Sequence, residues 1–228
     1  MQKKNFYSLS FEDLKIFLIE KIGVEESKVK MRAQQLYKGI YQKGITSFSD
    51  LTTVTFELRK KLDNALSLEL PKIVKTEIAP DQTTKWLLEL NDENKNLIEV
   101  VLIPSKSHNT ICVSVQVGCA MSKNSACIHC ATGTQLLVKN LSASEIVMQM
   151  MIAKRYLNDF GDQRLLSRVV CMGSGEPLTN YKETKQFIKI LMEPEGIHMG
   201  KKSITLSTIG VPDKIIQFAD EVGVHLAL

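Results

Sequence analysis

Three cysteines lie close together in the middle of the chain, at Cys119, Cys127 and Cys130. Thiolates are soft ligands suited to iron–sulfur clusters or zinc, and three ligands rather than four leave one metal position open. All five cysteines of the 228-residue chain fall between residues 112 and 171, and the N-terminus lacks the apolar stretch of a secretory signal. Metal or thiol chemistry in a reducing compartment is therefore favoured over disulfide bonding.

The last cysteine and the nearby histidines have simpler explanations than an iron–sulfur site. Cys171 stands in the apolar run VVCM, where small buried cysteines are common, so packing is its expected role. A zinc site completed by His108 or His129 is the alternative to an iron–sulfur cluster. The residue types by themselves leave both kinds of metal site open.

Two further segments stand where apolar runs end. The sequence GSGEP at 173–177 follows a run at 168–172, and LSTIG at 206–210 closes the next one. Ligands bind at the carboxyl ends of parallel strands, so both segments are candidates for a ligand site. Glycines there let a ligand approach the backbone, and the carboxylate of Glu176 would hold an ammonium group. An ordinary strand-to-helix turn is the alternative for either segment taken alone.

Helices and strands must position these segments, and apolar periodicity predicts both. A helix is expected from Ser10, which forms a capping box with Asp13, to Gly23. A second helix is expected around an apolar stripe from Ala33 to Tyr41 that ends at Gly44, and a third from about residue 56. Short β-prone runs at 73–79, 86–90 and 97–103 predict a meander. The expected order thereafter is strand 111–117, helix 142–157, strand 168–172, helix 181–192, strand 203–207, helix 213–222 and strand 224–228.

This alternation predicts an α/β fold with a parallel sheet. We expect a helical domain at 1–72, a β-meander connector at 73–110 and a sheet-and-helix core at 111–228. The composition, 44% hydrophobic and 24% charged, is typical of a globular protein. No apolar run approaches the roughly 18 residues of a membrane span, so no membrane partner and a cytoplasmic location are expected.

The net charge of +4 is unevenly distributed. Residues 1–75 carry 14 lysines and arginines against 9 acidic residues, whereas the remainder carries 15 against 16. The basic residues of this part would meet a phosphate backbone or form a solvated helix face, and charge alone does not separate these alternatives.

Several longer segments can be compared with known families: CVSVQVGC at 112–119, CIHCATGTQ at 127–135, KNLSASEI at 139–146, MGSGEPLTNY at 172–181 and ITLSTIGV at 204–211, with N-terminal support at 32–52 and 98–104. Together they resemble the RlmN/Cfr family of radical S-adenosylmethionine enzymes, which methylate adenine in ribosomal and transfer RNA. The resemblance is nearer to the RlmN branch. It implies a partial (βα) barrel of about four of six strands after a helical RNA-binding domain and the meander.

The resemblance also implies a set of site residues. The ligands of a [4Fe–4S] cluster are matched by Cys119, Cys127 and Cys130. Positions that contact S-adenosylmethionine are matched by Gly175, Glu176 and Ser207. Cys112 matches a cysteine that resolves a covalent RNA adduct, and Glu99 matches a proton acceptor. The implied reaction places a methyl group on C2 of adenine in 23S ribosomal RNA and transfer RNA, or on C8 as in the Cfr branch. An electron donor such as flavodoxin is the implied redox partner.

The sequence departs from the family pattern at two places. Cys119 and Cys127 are separated by seven residues where the family has three, as though four were inserted near residues 122–125. Doubling a loop costs only about 0.6 kcal/mol in closure entropy, so ligation stays feasible. The chain also stops in what corresponds to the fourth barrel strand, before the family's methyl-carrying cysteine.

The second departure predicts that this chain alone does not methylate RNA and that a separate C-terminal fragment would be a partner. A non-catalytic RNA-binding remnant with a zinc or empty cysteine site is the competing interpretation.

Overall fold

The computed structural model describes residues 3–106, 108–122, 127, 130–162 and 164–228. Its helices are α1 (Phe11–Phe17), α2 (Glu26–Tyr37), α3 (Phe56–Ala65), α4 (Ala143–Tyr156), α5 (Tyr181–Met192) and α6 (Pro212–Glu221). Its strands are β1 (Lys4–Asn5), β2 (Leu66–Ser67), β3 (Lys72–Ile78), β4 (Thr84–Glu89), β5 (Leu97–Pro104), β6 (Asn109–Cys112), β7 (Gln116–Val117), β8 (Lys139–Asn140), β9 (Leu166–Cys171), β10 (Ile204–Ser207) and β11 (His225–Ala227).

The N-terminal helices begin where local capping signals predict. Ser10 caps α1, and the reciprocal bonds with Asp13 complete the expected capping box. α1 continues as a π-helical turn, Leu18–Ile22, which ends at Gly23 with a φ of +78°. A second π-helical turn follows α2, and Thr55 caps α3. The expected helices are thus present, although two of them end in π-helical turns.

Seven strands form one sheet in the order β11-β10-β9-β6-β5-β4-β3. β6, β9, β10 and β11 are parallel, whereas β3, β4, β5 and β6 pair antiparallel. The meander therefore extends the same sheet as the parallel strands. The mixed α/β fold expected from the sequence is confirmed.

One expected strand is interrupted. The prediction of a continuous strand at 111–117 is wrong, because β6 ends at Cys112 and β7 pairs separately with β8. Between them, the amide of Ser114 donates to a side chain of α4 rather than to a neighbouring strand. A strand whose backbone bonds are taken by side chains cannot continue its ladder.

Side chains of the sheet alternate between two faces. One face is buried in the same hydrophobic core as α4 and α5, and its members include Val100, Leu102, Ile111, Val169, Cys171 and Leu206. The other face, here named the open face, carries Glu99, Val101, Cys112, Val170, Thr205 and Ser207, which are exposed or half-buried. Candidate chemistry on the sheet therefore lies on the face that the helices leave uncovered.

The N-terminal helices pack against the sheet-and-helix core. Buried Phe6 and Tyr7 belong to the same hydrophobic cluster as α4 and α5. Gln42 donates to the carbonyl of Gly196 at 3.0 Å, and Gln186 donates to Asp13 at 2.7 Å. Within the described residues, no helix combines the length and apolar character required to cross a bilayer.

Candidate functional site

The segment between β6 and β7 is fixed by side-chain hydrogen bonds at the carboxyl end of the parallel strands. Fully buried Gln149 of α4 accepts from the Ser114 amide and donates to its carbonyl, both at 2.8 Å. Ser114 Oγ donates to the carbonyl of Glu99 at 2.7 Å and accepts from the amide of Ser174 at 3.0 Å. This buried serine therefore connects the meander to the loop after β9.

Gln116 is fully buried two residues further along. Its Oε1 accepts from the amides of Ala120, at 3.1 Å, and Glu176, at 2.9 Å. Its Nε2 donates to Asn140 Oδ1 at 2.7 Å and to Thr179 Oγ1 at 2.9 Å. Because Ala120 directly follows the first candidate metal ligand, this amide links the cysteine segment to the GSGEP loop.

Glu176 is buried where the loop after β9 meets the end of β10. Its Oε1 accepts from the amide of Leu178 at 3.0 Å and from Thr208 Oγ1 at 2.7 Å, and its Oε2 accepts from the amide of Ile209 at 3.0 Å. The carboxylate thus fastens the GSGEP and LSTIG loops together. A carboxylate has about four acceptor positions, so capacity for one further donor remains.

The glycines of the GSGEP loop lie directly against the Ser114–Gln116 segment. A Cβ on Gly173 would lie 2.7 Å from Ser114 Oγ, and one on Gly175 would lie 2.5 Å from Gln116 Cβ. Gly175 also has a φ of +104°, which residues other than glycine rarely adopt. Glycine is therefore required here by packing of the chain on itself, while the expected cofactor contact of Gly175 remains a prediction.

The cysteine segment is held mainly by backbone bonds. The amide of Cys119 donates to the carbonyl of Gln135 at 3.1 Å, and that of Cys130 donates to the carbonyl of Cys127 at 2.8 Å. Cys119 is half-buried, whereas Cys127 and Cys130 are exposed, and none forms a disulfide. Three free thiols of this segment therefore remain available as ligands.

The thiols share one electrostatic environment with Glu176. Burial raises the pKa of Cys119, a hydrogen bond from the Met121 backbone lowers it, and the negative charges of Cys130, Glu176 and Cys127 raise it further. The structure accordingly brings the candidate ligands and the candidate cofactor carboxylate to the same edge of the sheet.

The cysteine segment has the right kind of metal ligand, but the side chains that the structure describes there are not arranged around a metal position. Among the described residues, no group of three cysteine, histidine or acidic side chains is arranged to hold a metal ion. The three thiols still fit an iron–sulfur cluster in kind. His108 precedes β6 while the cysteines follow its other end, and His129 lies outside the described residues, as does the lengthened loop after Ser122.

Glu99 and Cys112 share the open face. Cys112 pairs with Val101 of β5, and Glu99 lies two residues along β5 on the same side. Lys85 Nζ of β4 lies 3.2 Å from Glu99 Oε1 and 3.1 Å from Glu77 Oε2. The carboxylate expected to accept a proton is therefore half of an ion pair beside the expected resolving cysteine.

The remaining cysteine behaves as the sequence predicts. Cys171 is buried in the hydrophobic core, which confirms its packing role. Burial raises the pKa of Cys171 to about 12, with a contribution from the charge of Cys112. Burial also raises the pKa of Cys112, against a hydrogen bond from the backbone of Met172. Both thiols are therefore protonated near neutral pH.

Part of the basic N-terminal surface converges on one groove. Lys28 and Arg32 of α2 and Lys61 of α3 line a cavity of about 380 Å³ beside Gly23. Two acidic residues line the same cavity, and one of them, Glu25, pairs with Lys28 at 2.8 Å. The groove concentrates three of the basic residues that the sequence separates.

Known proteins are similar to this chain over most of its length. Residues 4–68 match the family model of the ribosomal RNA large subunit methyltransferase N-terminal domain. The chain is 41% identical to the dual-specificity RNA methyltransferase RlmN of Rhodopseudomonas palustris (strain BisB18), over 91% of this chain and 53% of that protein. The chain belongs to the RlmN family. RlmN of Agrobacterium fabrum (strain C58 / ATCC 33970) is 38% identical over 99% of this chain and 58% of that protein.

This RlmN-family chain spans about half the length of the curated relatives it matches. It also resembles the crystal structure of a radical SAM methyltransferase from Sphaerobacter thermophilus, with a TM-score of 0.85 and 33% identity. That match covers 98% of this chain and 62% of the other. The expected family and the mixed α/β fold are both confirmed.

Sequence reasoning missed the buried amides and hydroxyls that hold the RlmN-family loops together. Gln116, Gln149 and Ser114 were not candidate site residues, although the signal for two of them was visible. Ser114 and Gln116 are polar residues in the otherwise apolar run VSVQV. Buried polar groups require hydrogen-bond partners, so such residues predict a connection to another element.

Proposed function

We propose that this chain forms the cluster- and cofactor-binding part of a radical S-adenosylmethionine enzyme that methylates C2 of adenine in 23S ribosomal RNA and transfer RNA. One observation carries the proposal: the buried Gln116 side chain accepts hydrogen bonds both from the amide of Ala120, which directly follows Cys119, and from the amide of Glu176 in the loop after β9. Ligands bind at the carboxyl edge of a parallel sheet. The family of the relatives supplies the reaction class.

The proposed cluster ligands are Cys119, Cys127 and Cys130. A bound [4Fe–4S] cluster would supply the electron that cleaves the sulfonium of S-adenosylmethionine, and it would itself be reduced by a donor such as flavodoxin. The exposure of Cys127 and Cys130 lets them reach a metal without breaking packing of the core.

The proposed cofactor residues are Gly175, Glu176 and Ser207. Glu176 has capacity for one more donor beyond its three internal bonds, which suits one N–H of an ammonium group. Ser207 ends β10 next to Thr208, which is bonded to Glu176, so its hydroxyl lies on the same edge. Oxygen donors and acceptors at a strand end suit the polar groups of S-adenosylmethionine.

The proposed proton chemistry belongs to the open face. The raised pKa of Cys112 keeps its thiol protonated until a base takes the proton. Lys85 holds Glu99 in an ion pair, which orients this carboxylate as an acceptor for a proton released from the RNA base. The groove formed by Lys28, Arg32 and Lys61 would contact RNA phosphates.

Anaerobic reconstitution of the purified chain with iron and sulfide tests the cofactor part of the proposal. We expect about four irons per chain and a spectrum that changes when S-adenosylmethionine is added. The matched control replaces Cys119, Cys127 and Cys130 with alanine and should take up no iron. Zinc in place of iron, or no metal together with salt-dependent RNA binding, would instead support an RNA-binding remnant.

A methylation assay tests the substrate and the position. The reconstituted chain is incubated with 23S ribosomal RNA or transfer RNA, alone and with a C-terminal fragment of an RlmN relative added in trans. We expect 2-methyladenine only when the fragment is present, measured by mass spectrometry of digested RNA. 8-Methyladenine would contradict the assignment to C2 and support chemistry of the Cfr branch.

A further inference from the structure

One buried amide uses its entire hydrogen-bonding capacity to connect four segments of the chain. Gln116 Oε1 accepts from the amides of Ala120 and Glu176, and its Nε2 donates to Asn140 and Thr179. The four distances lie between 2.7 and 3.1 Å. A glutamine side chain offers two acceptor positions and two donors, and all four are used here.

No other side chain reproduces this set of bonds. Glutamate would lose the two donors, asparagine is one methylene shorter, and methionine has the same length without strong donors or acceptors. Space is also restricted, since a Cβ on Gly175 would lie 2.5 Å from Gln116 Cβ. The position therefore requires both the shape and the polarity of glutamine.

The contacts of Gln116 continue in both directions. On one side, Ala120 follows the candidate ligand Cys119 directly. On the other side, Glu176 accepts hydrogen bonds from Thr208 and Ile209 at the end of β10. A continuous chain of buried and partly buried hydrogen bonds thus runs from the cysteine segment to both loops that carry candidate cofactor residues.

We propose that Gln116 is a positioning residue that fixes the Cys119 segment against the Glu176 loop, so that cluster and S-adenosylmethionine are bound at a set separation. The inference rests on the proposed function for the identity of the two ligands. The hydrogen bonds from Gln116 to the two segments form in the protein before any ligand is bound. They can therefore be measured independently of cluster assembly.

Hydrogen–deuterium exchange of the chain without metal tests the connection. Gln116→Met keeps the length of the side chain and removes its bonds, so exchange at Ala120 and Glu176 should rise together, by about fivefold or more. Gln116→Glu keeps an oxygen that accepts from both amides and should retain most of their protection. The matched control is Gln149→Met, which removes an equally buried amide that contacts Ser114 and not the two loops.

Electron paramagnetic resonance of the reduced, reconstituted chain tests the consequence. The spectral change caused by S-adenosylmethionine should be lost in Gln116→Met, although iron uptake persists, and it should be retained in Gln149→Met even where that variant is equally destabilised. An unchanged exchange rate in either loop of Gln116→Met, or an undiminished spectral change, would overturn the inference. If the unaltered chain takes up no iron, the proposed function fails, while the exchange result still decides whether Gln116 joins the loops.

Discussion

The two loops at the carboxyl edge of the sheet are held in different ways. The Glu176 loop is fixed by buried side chains: Gln116 and Thr208 form hydrogen bonds with it, and Gly175 packs directly against Gln116. The cysteine segment exposes two of its three candidate ligands. Folding alone therefore builds the first loop, whereas a metal would supply the missing connections of the second.

The largest difference between the loops should appear when one exposed ligand is removed. Cys127→Ala should abolish iron uptake, because two protein ligands do not retain a cluster that normally takes three. Its free energy of unfolding without metal should change by less than about 0.5 kcal/mol, since the side chain is exposed. Iron analysis and urea denaturation measure the two effects.

Cys112→Ala is the control for this prediction. It removes a thiol that is not a proposed ligand, so iron uptake should persist. Equal iron uptake by Cys127→Ala and the unaltered chain would show that the exposed thiol is not a ligand.

A backbone change in the fixed loop should cost the most stability. Gly175→Ala introduces a Cβ 2.5 Å from Gln116 Cβ at a φ of +104°. Strain and overpacking together should lower the free energy of unfolding by about 3–4 kcal/mol. Gly161→Ala is the matched control, with a φ of +77° and no atom within 4 Å of the added Cβ, and should cost about 1 kcal/mol. Urea denaturation that gave the two variants equal stability would contradict the tight packing of this loop.

Removing the buried carboxylate should have a somewhat smaller effect. Glu176→Ala leaves the amides of Leu178 and Ile209 and the hydroxyl of Thr208 without their acceptor. We expect a loss of about 2–3 kcal/mol in the free energy of unfolding, against less than about 0.5 kcal/mol for Glu57→Ala on the exposed surface of α3. Thermal or urea unfolding of the two variants side by side makes the measurement.

The smallest expected effect is the pH dependence of stability that the buried thiol of Cys171 contributes. Burial raises the pKa of Cys171 from 9.0 to about 12 in the folded chain. The protonated thiol of Cys171 contributes its full share of stability to the folded chain below the unfolded pKa. This contribution is lost as pH rises from the unfolded pKa through the folded pKa. Between pH ~9 and pH ~10 this group should lower the free energy of unfolding by about 1 kcal/mol. Cys171→Ala should remove that component, which urea denaturation at the two pH values measures.

Local signals predicted the element boundaries well where the deciding contacts are local. The capping box of Ser10 and Asp13 lies within one helical turn, and α5 occupies the predicted 181–192. The strand at 111–117 was wrong because Gln149, 35 residues from Ser114 along the chain, takes the backbone bonds of that residue. A strand's continuity depends on partners that its own sequence does not contain.

In the candidate site too, the sequence located residues within contiguous motifs but not their contacts with distant segments. The sequence located Cys119, Glu176 and Ser207 as candidates because their motifs are contiguous, but it explained the glycines of the GSGEP loop only by a ligand contact or by an ordinary strand-to-helix turn. Their closeness to Ser114 and Gln116 became visible only in the folded chain.

The sequence by itself determined the family, the order of helices and strands and the types of residue available for chemistry, since these depend on composition and local spacing. Only the tertiary structure decided that Glu99 and Cys112 share the open face and that Gln116 joins two loops. That decision depends on bonds between groups as far apart as Gln116 and Glu176, which are 60 residues apart along the chain. Such bonds become favourable only when burial removes water from both partners and leaves them no other partner.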